Sequence, residues 1–224
     1  MHKLSRELLN KPIFRKFPPR ELDSIARIAV RRSLKNREHL CFQEDVWPFV
    51  VYIHSGNLRW VLFSAGGKEH QLYALSSGEL FWAHSFFDDQ PMPASLVANK
   101  DCVVYLWSRE TILPHLYRYP EAMFEITSML TSIMRRAREI IYGLAFQPVA
   151  SRLANFIISS LDNPDFPTLE RDMTLDEMAA ICASSPEVIC RLLYQFQTDG
   201  VVKITRTHIT INDYTALQQL ADMD

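Results

Sequence analysis

Four side chains that could recognise nucleic acid are spaced along one helical face near residue 190. Glu187, Cys190, Arg191 and Tyr194 follow i, i+3, i+4 and i+7 spacing, which places them side by side on a helix. An arginine can donate two hydrogen bonds to the edge of guanine, and a glutamate can accept one from cytosine. Glu187 and Arg191 can also pair with each other. The face therefore fits base reading in a DNA major groove, and a solvated helix face with an ordinary ion pair is the alternative.

Two short helices joined by a tight turn would present this face. Residues 174–177 read Thr-Leu-Asp-Glu, a capping box that predicts a first helix over 175–182. Small residues follow, and Ser184 or Ser185 can cap a second helix over 186–198 that begins with a proline. This arrangement is a helix-turn-helix, whose second helix can enter the major groove.

A wing is expected after the second helix. Short β-branched segments at 201–204 and 208–211 predict two strands, and a final helix is expected over 213–223. Polar residues of the strand pair would contact phosphates and so position the domain on DNA. The residues expected to contact DNA are Ser184, Ser185, Glu187, Cys190, Arg191, Tyr194, Lys203, Arg206 and Thr207.

The charge of the C-terminal third favours an alternative function. Residues 148–224 carry five Lys and Arg against eleven Asp and Glu, a net charge of −6. Because duplex DNA is a polyanion, cationic side chains supply most of the non-specific affinity for it. The alternative is an effector-binding module whose C-terminal domain contacts protein instead of DNA. DNA binding stays the preferred hypothesis, since a dimer doubles the cationic contacts and acidic residues can lie on the far face.

The stretch from residue 30 to 108 is predicted to be rich in strands. Short segments of β-branched and aromatic residues alternate with Gly and Ser turn signals, which is typical of an antiparallel sandwich or barrel. The predicted class is α+β, with an N-terminal antiparallel, jelly-roll-like β-roll as sensor domain. A long dimerisation helix and a C-terminal winged helix-turn-helix complete it. We place the boundaries at 1–116, 117–146 and 147–224.

The long helix is predicted from Pro120 to about Ala145. Its apolar residues form two series with a spacing of seven, offset by three, which is the pattern of a two-stranded seam. Met134 and Ile141 widen the stripe on one side, so the helix is also expected to pack against its own β domain. A helix that only covers a monomer's core is the alternative, and the unbroken register favours a homodimer. The expected seam is Met123, Ile126, Leu130, Ile133, Ala137, Ile140 and Leu144.

The order of these parts resembles the bacterial regulators named for the cyclic-AMP receptor protein and the fumarate–nitrate reduction regulator. The resemblance covers nearly the whole chain and is strongest over 187–197, E-V-I-C-R-L-L-Y-Q-F-Q, which is similar to the second branch's E-x-x-S-R-L-L-x-x-F-Q. It implies a cytoplasmic transcription regulator that binds a palindromic site in double-stranded DNA as a homodimer and contacts RNA polymerase.

The same resemblance assigns base reading to Glu187, Cys190 and Arg191. Cys190 replaces the serine usual in the second branch, and Pro186 stands where the cyclic-AMP branch often has a base-reading arginine. A half-site that differs from those of both branches is therefore expected.

The effector pocket departs from the family pattern G-E-x-x-G-E followed by R-[ST]-A. Residues 78–83 read Gly-Glu-Leu-Phe-Trp-Ala, and Pro93 stands at the expected arginine. Charge-assisted contacts hold phosphates most strongly, so a chain without that cation is not expected to respond to cyclic AMP. An apolar effector and a filled pocket without ligand are both open, and the effector itself is not identified. The expected pocket residues are Gly78, Glu79, Phe81, Trp82, His84 and Arg138.

Composition and spacing argue against other classes. The net charge of −2 and the 48% hydrophobic content are ordinary for a globular chain, and no segment approaches the roughly 20 apolar residues of a membrane span. No cysteine precedes Cys41, so the clustered N-terminal motif of an iron–sulfur sensor is missing. Free, mostly buried thiols are expected for the four cysteines. No cofactor is expected, although a haem with His84 as axial ligand is conceivable.

An enzyme with a metal site in a jelly roll is the last alternative. Such a site needs histidines that converge from neighbouring strands. The histidines at 39, 54, 70, 84 and 115 show no H-x-H or H-x-x-x-H spacing. We therefore expect neither a metal nor an enzymatic activity.

Overall fold

The computed structural model describes residues 3–161, 167–171 and 173–223. The helices are α1 Lys3–Leu8, α2 Pro19–Arg27, α3 Ser85–Asp88, α4 Arg109–Arg118, α5 Pro120–Phe146, α6 Val149–Ser159, α7 Leu175–Ile181, α8 Pro186–Thr198 and α9 Tyr214–Ala221, with a 3₁₀ helix at Pro12–Lys16. The strands are β1 Val30–Leu34, β2 His39–Cys41, β3 Phe49–Ser55, β4 Leu58–Phe63, β5 Glu69–Leu75, β6 Leu80–Trp82, β7 Ser95–Ala98, β8 Cys102–Ser108, β9 Thr168–Glu170, β10 Val202–Ile204 and β11 His208–Ile211.

The chain packs into two compact units. The first comprises Met1–Phe63 and Leu72–Arg136, and the second comprises Ser64–Gln71 and Ala137–Asp224. The long helix α5 is thus shared between them. The three-part division at residues 116 and 146 stays a prediction.

The first unit contains two four-stranded antiparallel sheets, which confirms the expected β-roll. Their strand orders are β1-β8-β3-β6 and β2-β7-β4-β5. Successive side chains on a strand point to opposite faces, so β6 serves two cores. Phe81 lies in the apolar cluster between the sheets, and Trp82 lies in the cluster that joins the first sheet to the helices.

Helices α1, α2, α4 and the start of α5 cover the outer face of the first sheet. Trp107 on β8 is buried there, and its indole N–H donates to the Ile25 carbonyl over 2.7 Å. Ile126 of α5 belongs to the same cluster and is 2% exposed. The beginning of the long helix is therefore fixed by the core of the first unit.

The face that α5 leaves free differs from the predicted seam. Ile126 is wrong as a seam residue, because it is buried in the core of its own unit. Met134 and Ile141, expected on the side of the β domain, are 72% and 66% exposed. A helix turns about 100° per residue, so the 126 series and the 134 series occupy different sides. The heptad pattern alone does not say which side the β domain covers.

The second unit encloses a separate core among α6, α7, α8, α9 and a three-stranded sheet of order β10-β11-β9. Strands β10 and β11 confirm the predicted wing. Strand β9 was not predicted, because its three residues, Thr168–Glu170, are too short a run to give a strand signal, and it pairs with β11 through Leu169 opposite Ile209. Within the residues described, no helix has both the length and the hydrophobicity needed to cross a membrane.

Candidate nucleic-acid interface

The frame of the helix-turn-helix is set by local hydrogen bonds. Thr174 Oγ1 accepts from the Glu177 N–H over 3.2 Å, and the Glu177 carboxylate accepts from the Thr174 N–H over 2.8 Å. This confirms the predicted capping box at the start of α7. Helix α8 begins at Pro186 with Ser185 as its cap, whose hydroxyl accepts from the Val188 N–H. Both helices therefore start where the sequence places them.

Helix α8 is amphipathic and buries one side. Ile189, Leu193 and Phe196 are at most 4% exposed and belong to the core of the second unit. The opposite side consists of the four residues predicted to read bases. Glu187, Cys190, Arg191 and Tyr194 are all exposed. The structure therefore brings these four together on one open surface.

Glu187 and Arg191 do not pair with each other in the described part of the chain. The Ser185 hydroxyl and the backbone amide of Glu187 hydrogen-bond the Glu187 carboxyl and lower its pKa. The predicted ion pair is wrong, because the helix N-terminus offers the carboxylate nearer donors. The Arg191 guanidinium is left exposed, with no hydrogen bond or ion pair among the described residues. Its donors are free for an external acceptor.

The wing stands beside α8 and adds cations to this surface. Lys203 lies on β10, Arg206 and Thr207 lie in the β10–β11 turn, and all three are exposed. Gln197 of α8 accepts from the Ile204 N–H over 3.0 Å. That bond holds the wing at a fixed place along the helix.

A groove of about 500 Å³ lies between α8 and the wing. Arg171, which the sequence analysis did not single out, lines it. Its side chain donates to the Thr205 carbonyl over 3.3 Å, and its N–H donates to the Thr207 carbonyl over 2.7 Å. Pairing of β9 with β11 brings Arg171 to the wing, and no local sequence pattern indicates that pairing. The lining residues are Arg171, Leu175, Cys190, Leu193, Tyr194, Gln197, Ile204, Thr205 and Arg206.

The turn between the helices carries a strained residue. Ala183 has a φ of +47°, a left-handed conformation that costs residues with a Cβ about 1–2 kcal/mol. Ser184 and Ser185 follow and are half-buried. Ser185 caps α8, while the Ser184 N–H donates to the Ala179 carbonyl over 2.9 Å. Both serines therefore shape the turn.

The interior of the β-roll is filled by aromatic side chains. Trp60 packs against Tyr73, Phe81 and His84, and the His84 ring stacks on it at 5.2 Å with 21° between the planes. Burial lowers the pKa of His84. Of the predicted pocket residues, Phe81 and His84 are found here. Trp82 is wrong as a lining residue, because it occupies the opposite face of β6.

The arginine that lies against the β-roll is Arg136, and not Arg138 as the sequence predicted. Arg136 of α5 lies 4.9 Å from the centre of the Tyr73 ring. Arg138 instead pairs with its neighbour Glu139 over 2.6 Å and is exposed. Two residues along a helix correspond to about 200° of rotation, so the two arginines cannot share a side.

The start of the nucleotide cassette has its own turn geometry. Gly78 has a φ of +85°, which favours glycine, and its N–H donates to the Ile53 carbonyl. The Glu79 carboxylate accepts from the Ser76 N–H and is exposed. Both residues thus close a turn between β5 and β6.

The cysteines divide between the cores and the reading surface. Cys41, Cys102 and Cys182 are buried, and Cys190 is exposed. Burial raises the pKa of Cys41 and of Cys182 to about 12, so both stay protonated thiols. In the described part of the chain, no group of three or more His, Cys, Asp or Glu could hold a metal ion.

Known domain families match both units. The cyclic nucleotide-binding domain matches residues 31–118, and the Crp-like helix-turn-helix domain matches residues 151–220. The cyclic AMP receptor protein of Thermus thermophilus is 26% identical over 94% of this chain and 96% of its own length. The cAMP-activated global transcriptional regulator Vfr of Pseudomonas aeruginosa is 21% identical over 83% of this chain and 90% of its own.

Solved structures show the same fold at lower identity. A CooA mutant from Carboxydothermus hydrogenoformans has a TM-score of 0.76 at 18% identity, covering 96% of this chain and 94% of its own. The c-di-GMP responsive global regulator CLP of Xanthomonas campestris has a TM-score of 0.75 at 18% identity, covering 87% and 99%. With both domain families matched in this order, the chain belongs to the Crp/Fnr family of DNA-binding transcription regulators and is not an enzyme.

Proposed function

We propose that this regulator binds a palindromic site in double-stranded DNA as a homodimer and does not respond to cyclic AMP. The observation that carries the DNA-reading part is the outer face of α8. There Glu187, Cys190, Arg191 and Tyr194 are exposed together, and the Arg191 guanidinium has no partner among the described residues. A helix with such a face can read base edges in the major groove.

The distribution of cations supports DNA binding by an acidic domain. Arg152 aside, every Lys and Arg of residues 148–224 lies on α8 or at the three-stranded sheet: Arg171, Arg191, Lys203 and Arg206. Phosphate contacts fix the register and orientation of a protein on the duplex, and cations grouped around the reading helix can make them although the domain as a whole is acidic. The placement of these cations therefore keeps DNA binding ahead of a domain that contacts protein, the alternative that the acidic net charge favours.

The exposed apolar side of α5 supports the homodimer. Met134, Ile141 and Leu144 are 72%, 66% and 44% exposed, and with Leu130 and Ala137 they continue a heptad spacing. Such a stripe on a long helix is the seam of a two-stranded coiled coil. Dimers of this kind bind two half-sites about one helical turn apart, which is why the site is palindromic.

The β-roll supports the absence of a cyclic-AMP response. Pro93 stands where the nucleotide cassette of the family carries its arginine, and Trp60 with its ring partners fills the space between the sheets. A cyclic phosphate would therefore lose the charge-assisted contact of the cassette arginine, and the nearby Arg136 guanidinium packs over the Tyr73 ring instead. By family, the partner of the DNA-bound regulator is RNA polymerase, and we propose the cytoplasm as its compartment.

Selection on random duplex DNA tests the proposal. Rounds of binding to the purified full chain, followed by gel-shift titration at several salt concentrations, are expected to enrich a sequence with two-fold symmetry. Its affinity should exceed that of scrambled duplex by at least about 10³-fold, the lower end for specific regulators. If no sequence is enriched, or if the enriched sequence lacks two-fold symmetry, the proposal is wrong.

A further inference from the structure

Arg152 is a half-buried residue of α6 in the second unit, and backbone carbonyls surround its guanidinium. Nε donates to the Cys182 carbonyl over 2.9 Å. Nη1 donates to the Gln147 carbonyl over 2.7 Å and to the Gly143 carbonyl over 3.2 Å. A longer contact of 3.5 Å joins Nη2 to the Ala183 carbonyl. One half-buried side chain thus meets four carbonyls.

Those four carbonyls belong to the ends of two helices. Gly143 and Gln147 mark the C-terminal end of α5, and Cys182 and Ala183 follow α7. The Gly143 carbonyl also accepts from the Gln147 N–H over 3.1 Å, and the last carbonyls of a helix form its negative end. Pro148, next to Gln147, has no N–H to donate. A cation with several donors in a fixed plane suits both ends at once.

The surroundings favour Arg152 at this place. Gly143 is buried, and a Cβ on it would come within 3.9 Å of the Arg152 Cδ and 3.2 Å of the Gln147 Oε1. Burial raises the pKa of the Cys182 thiol, and the positive charge of Arg152 offsets a smaller part of that rise. A side chain at position 143 would therefore crowd the Gln147 amide, while its contact with the arginine stem would be an ordinary one.

We propose that Arg152 is a positioning residue that holds the α7–α8 turn of the helix-turn-helix at a fixed orientation on the end of α5. It does not contact DNA, because its donors are occupied by the carbonyls of its own unit. It affects DNA recognition only by fixing how helix α8 is oriented relative to the end of α5. We call the contacts of Arg152 with the four carbonyls the clamp. When α5 forms the dimer seam, the clamp sets the separation and rotation of the two recognition helices. The inference rests on the proposed dimeric, palindrome-reading function.

The spacing between half-sites is the property that such a clamp controls. One inserted base pair moves the second half-site by about 3.4 Å and turns it by about 35°. The wild-type chain is expected to lose at least about tenfold in affinity on that insertion. We call this loss of affinity on the insertion the spacing penalty. In Arg152→Gln the spacing penalty should shrink to less than about threefold, and affinity for the preferred spacing should fall by about tenfold.

Two further variants separate positioning from folding. Arg152→Lys keeps a positive charge beside both helix ends but lacks the planar fork. It should melt near the wild-type temperature and still lose the spacing penalty, and it carries the test if Arg152→Gln unfolds. Arg135→Gln removes the same charge from an exposed place on α5 and should behave as wild type.

The outcomes distinguish the inference from the function beneath it. If folded Arg152→Lys keeps the full spacing penalty, the clamp is overturned while the proposed function stands. The same holds if Arg135→Gln loses the penalty as strongly as the Arg152 variants. If the wild-type chain enriches no symmetric site in the first place, the proposed function fails and the inference fails with it.

Discussion

Arg191 shows how a single residue gains a role from its surroundings. Four residues along a helix from Glu187, it has the spacing of a routine ion pair, yet the Glu187 carboxylate is engaged by Ser185 and by the backbone at the start of α8. The guanidinium therefore keeps its planar set of donors available to an external acceptor, which we propose is a guanine edge. The same short stretch of chain therefore provides the cap of α8 at Ser185 and the proposed base-reading side chain at Arg191.

Replacement of Arg191 by alanine tests that role. Arg191→Ala should cost about 1–3 kcal/mol on the preferred site, or about 5- to 150-fold in affinity, and should relax base preference at one position in each half-site. Repeating the selection on random DNA with the variant measures both effects. Arg135→Ala serves as the control. An equal loss on all sequences would instead assign Arg191 to phosphate contact.

Ala183 provides a second prediction at this scale. In Ala183→Gly the left-handed φ of +47° no longer strains a Cβ, so the free energy of unfolding should rise by about 1 kcal/mol. The Tm should rise by about 2–4 °C for a chain of this size. Ala145→Gly, in the right-handed helix α5, should be destabilised by a similar amount. A lower Tm for Ala183→Gly would contradict the left-handed turn.

The elements that matter most are α5 and the helix-turn-helix with its wing. Helix α5 buries Ile126 against the β-roll core and exposes Met134 and Ile141, so one apolar side is covered within the chain and the other is open. The wing is held to α8 through Gln197 and receives Arg171 from β9. The role of each element thus depends on which of its sides is buried and which is exposed, as well as on its length.

Lysine substitutions on α5 test the seam. Met134→Lys with Ile141→Lys places two charges on the exposed stripe, and paired helices would have to bury them without partners, which is costly. Light scattering after gel filtration should change from twice the mass of the 26.0 kDa chain to a single chain. Ser132→Lys, about 160° and 180° away around the helix, should stay dimeric. A dimeric double variant would move the seam elsewhere.

The whole molecule combines a β-roll of the cyclic nucleotide-binding family with a Crp-like reading domain. Its relatives are named for different effectors, cyclic AMP in one and c-di-GMP in another. The β-roll of this chain keeps the family's sheets but packs its interior with Trp60, Tyr73, Phe81 and His84. A match to the cyclic nucleotide-binding domain is therefore compatible with the proposed lack of a cyclic-AMP response.

Calorimetry with cyclic AMP tests the proposal at this scale. No saturable heat is expected at concentrations that would detect a Kd of about 1 mM, which corresponds to about −4 kcal/mol. A ligand that binds only the folded chain also raises its stability, so the Tm should not change with added nucleotide. The Thermus thermophilus receptor serves as the positive control. Micromolar binding, or a DNA affinity that rises with cyclic AMP, would contradict the proposal.

The sequence by itself determined the elements whose signals are local. The capping box at Thr174, the Ser185 cap and Pro186 place both helices of the reading domain, because their hydrogen bonds and backbone restrictions lie within a few residues of chain. The i, i+3, i+4 and i+7 spacing of residues 187–194 likewise predicted the exposed face of α8. Recognition of the family followed from the order of these parts.

Only the tertiary structure decided which surface meets which partner. The heptad spacing of α5 could not tell that Ile126 is buried and Met134 exposed, and alternation on β6 could not tell which core receives Trp82. Arg171 reaches the wing through a strand pairing, and Arg152 joins two helix ends that are 30 or more residues of chain from each other. Spacing fixes which side chains share a face, whereas long-range packing decides what covers that face.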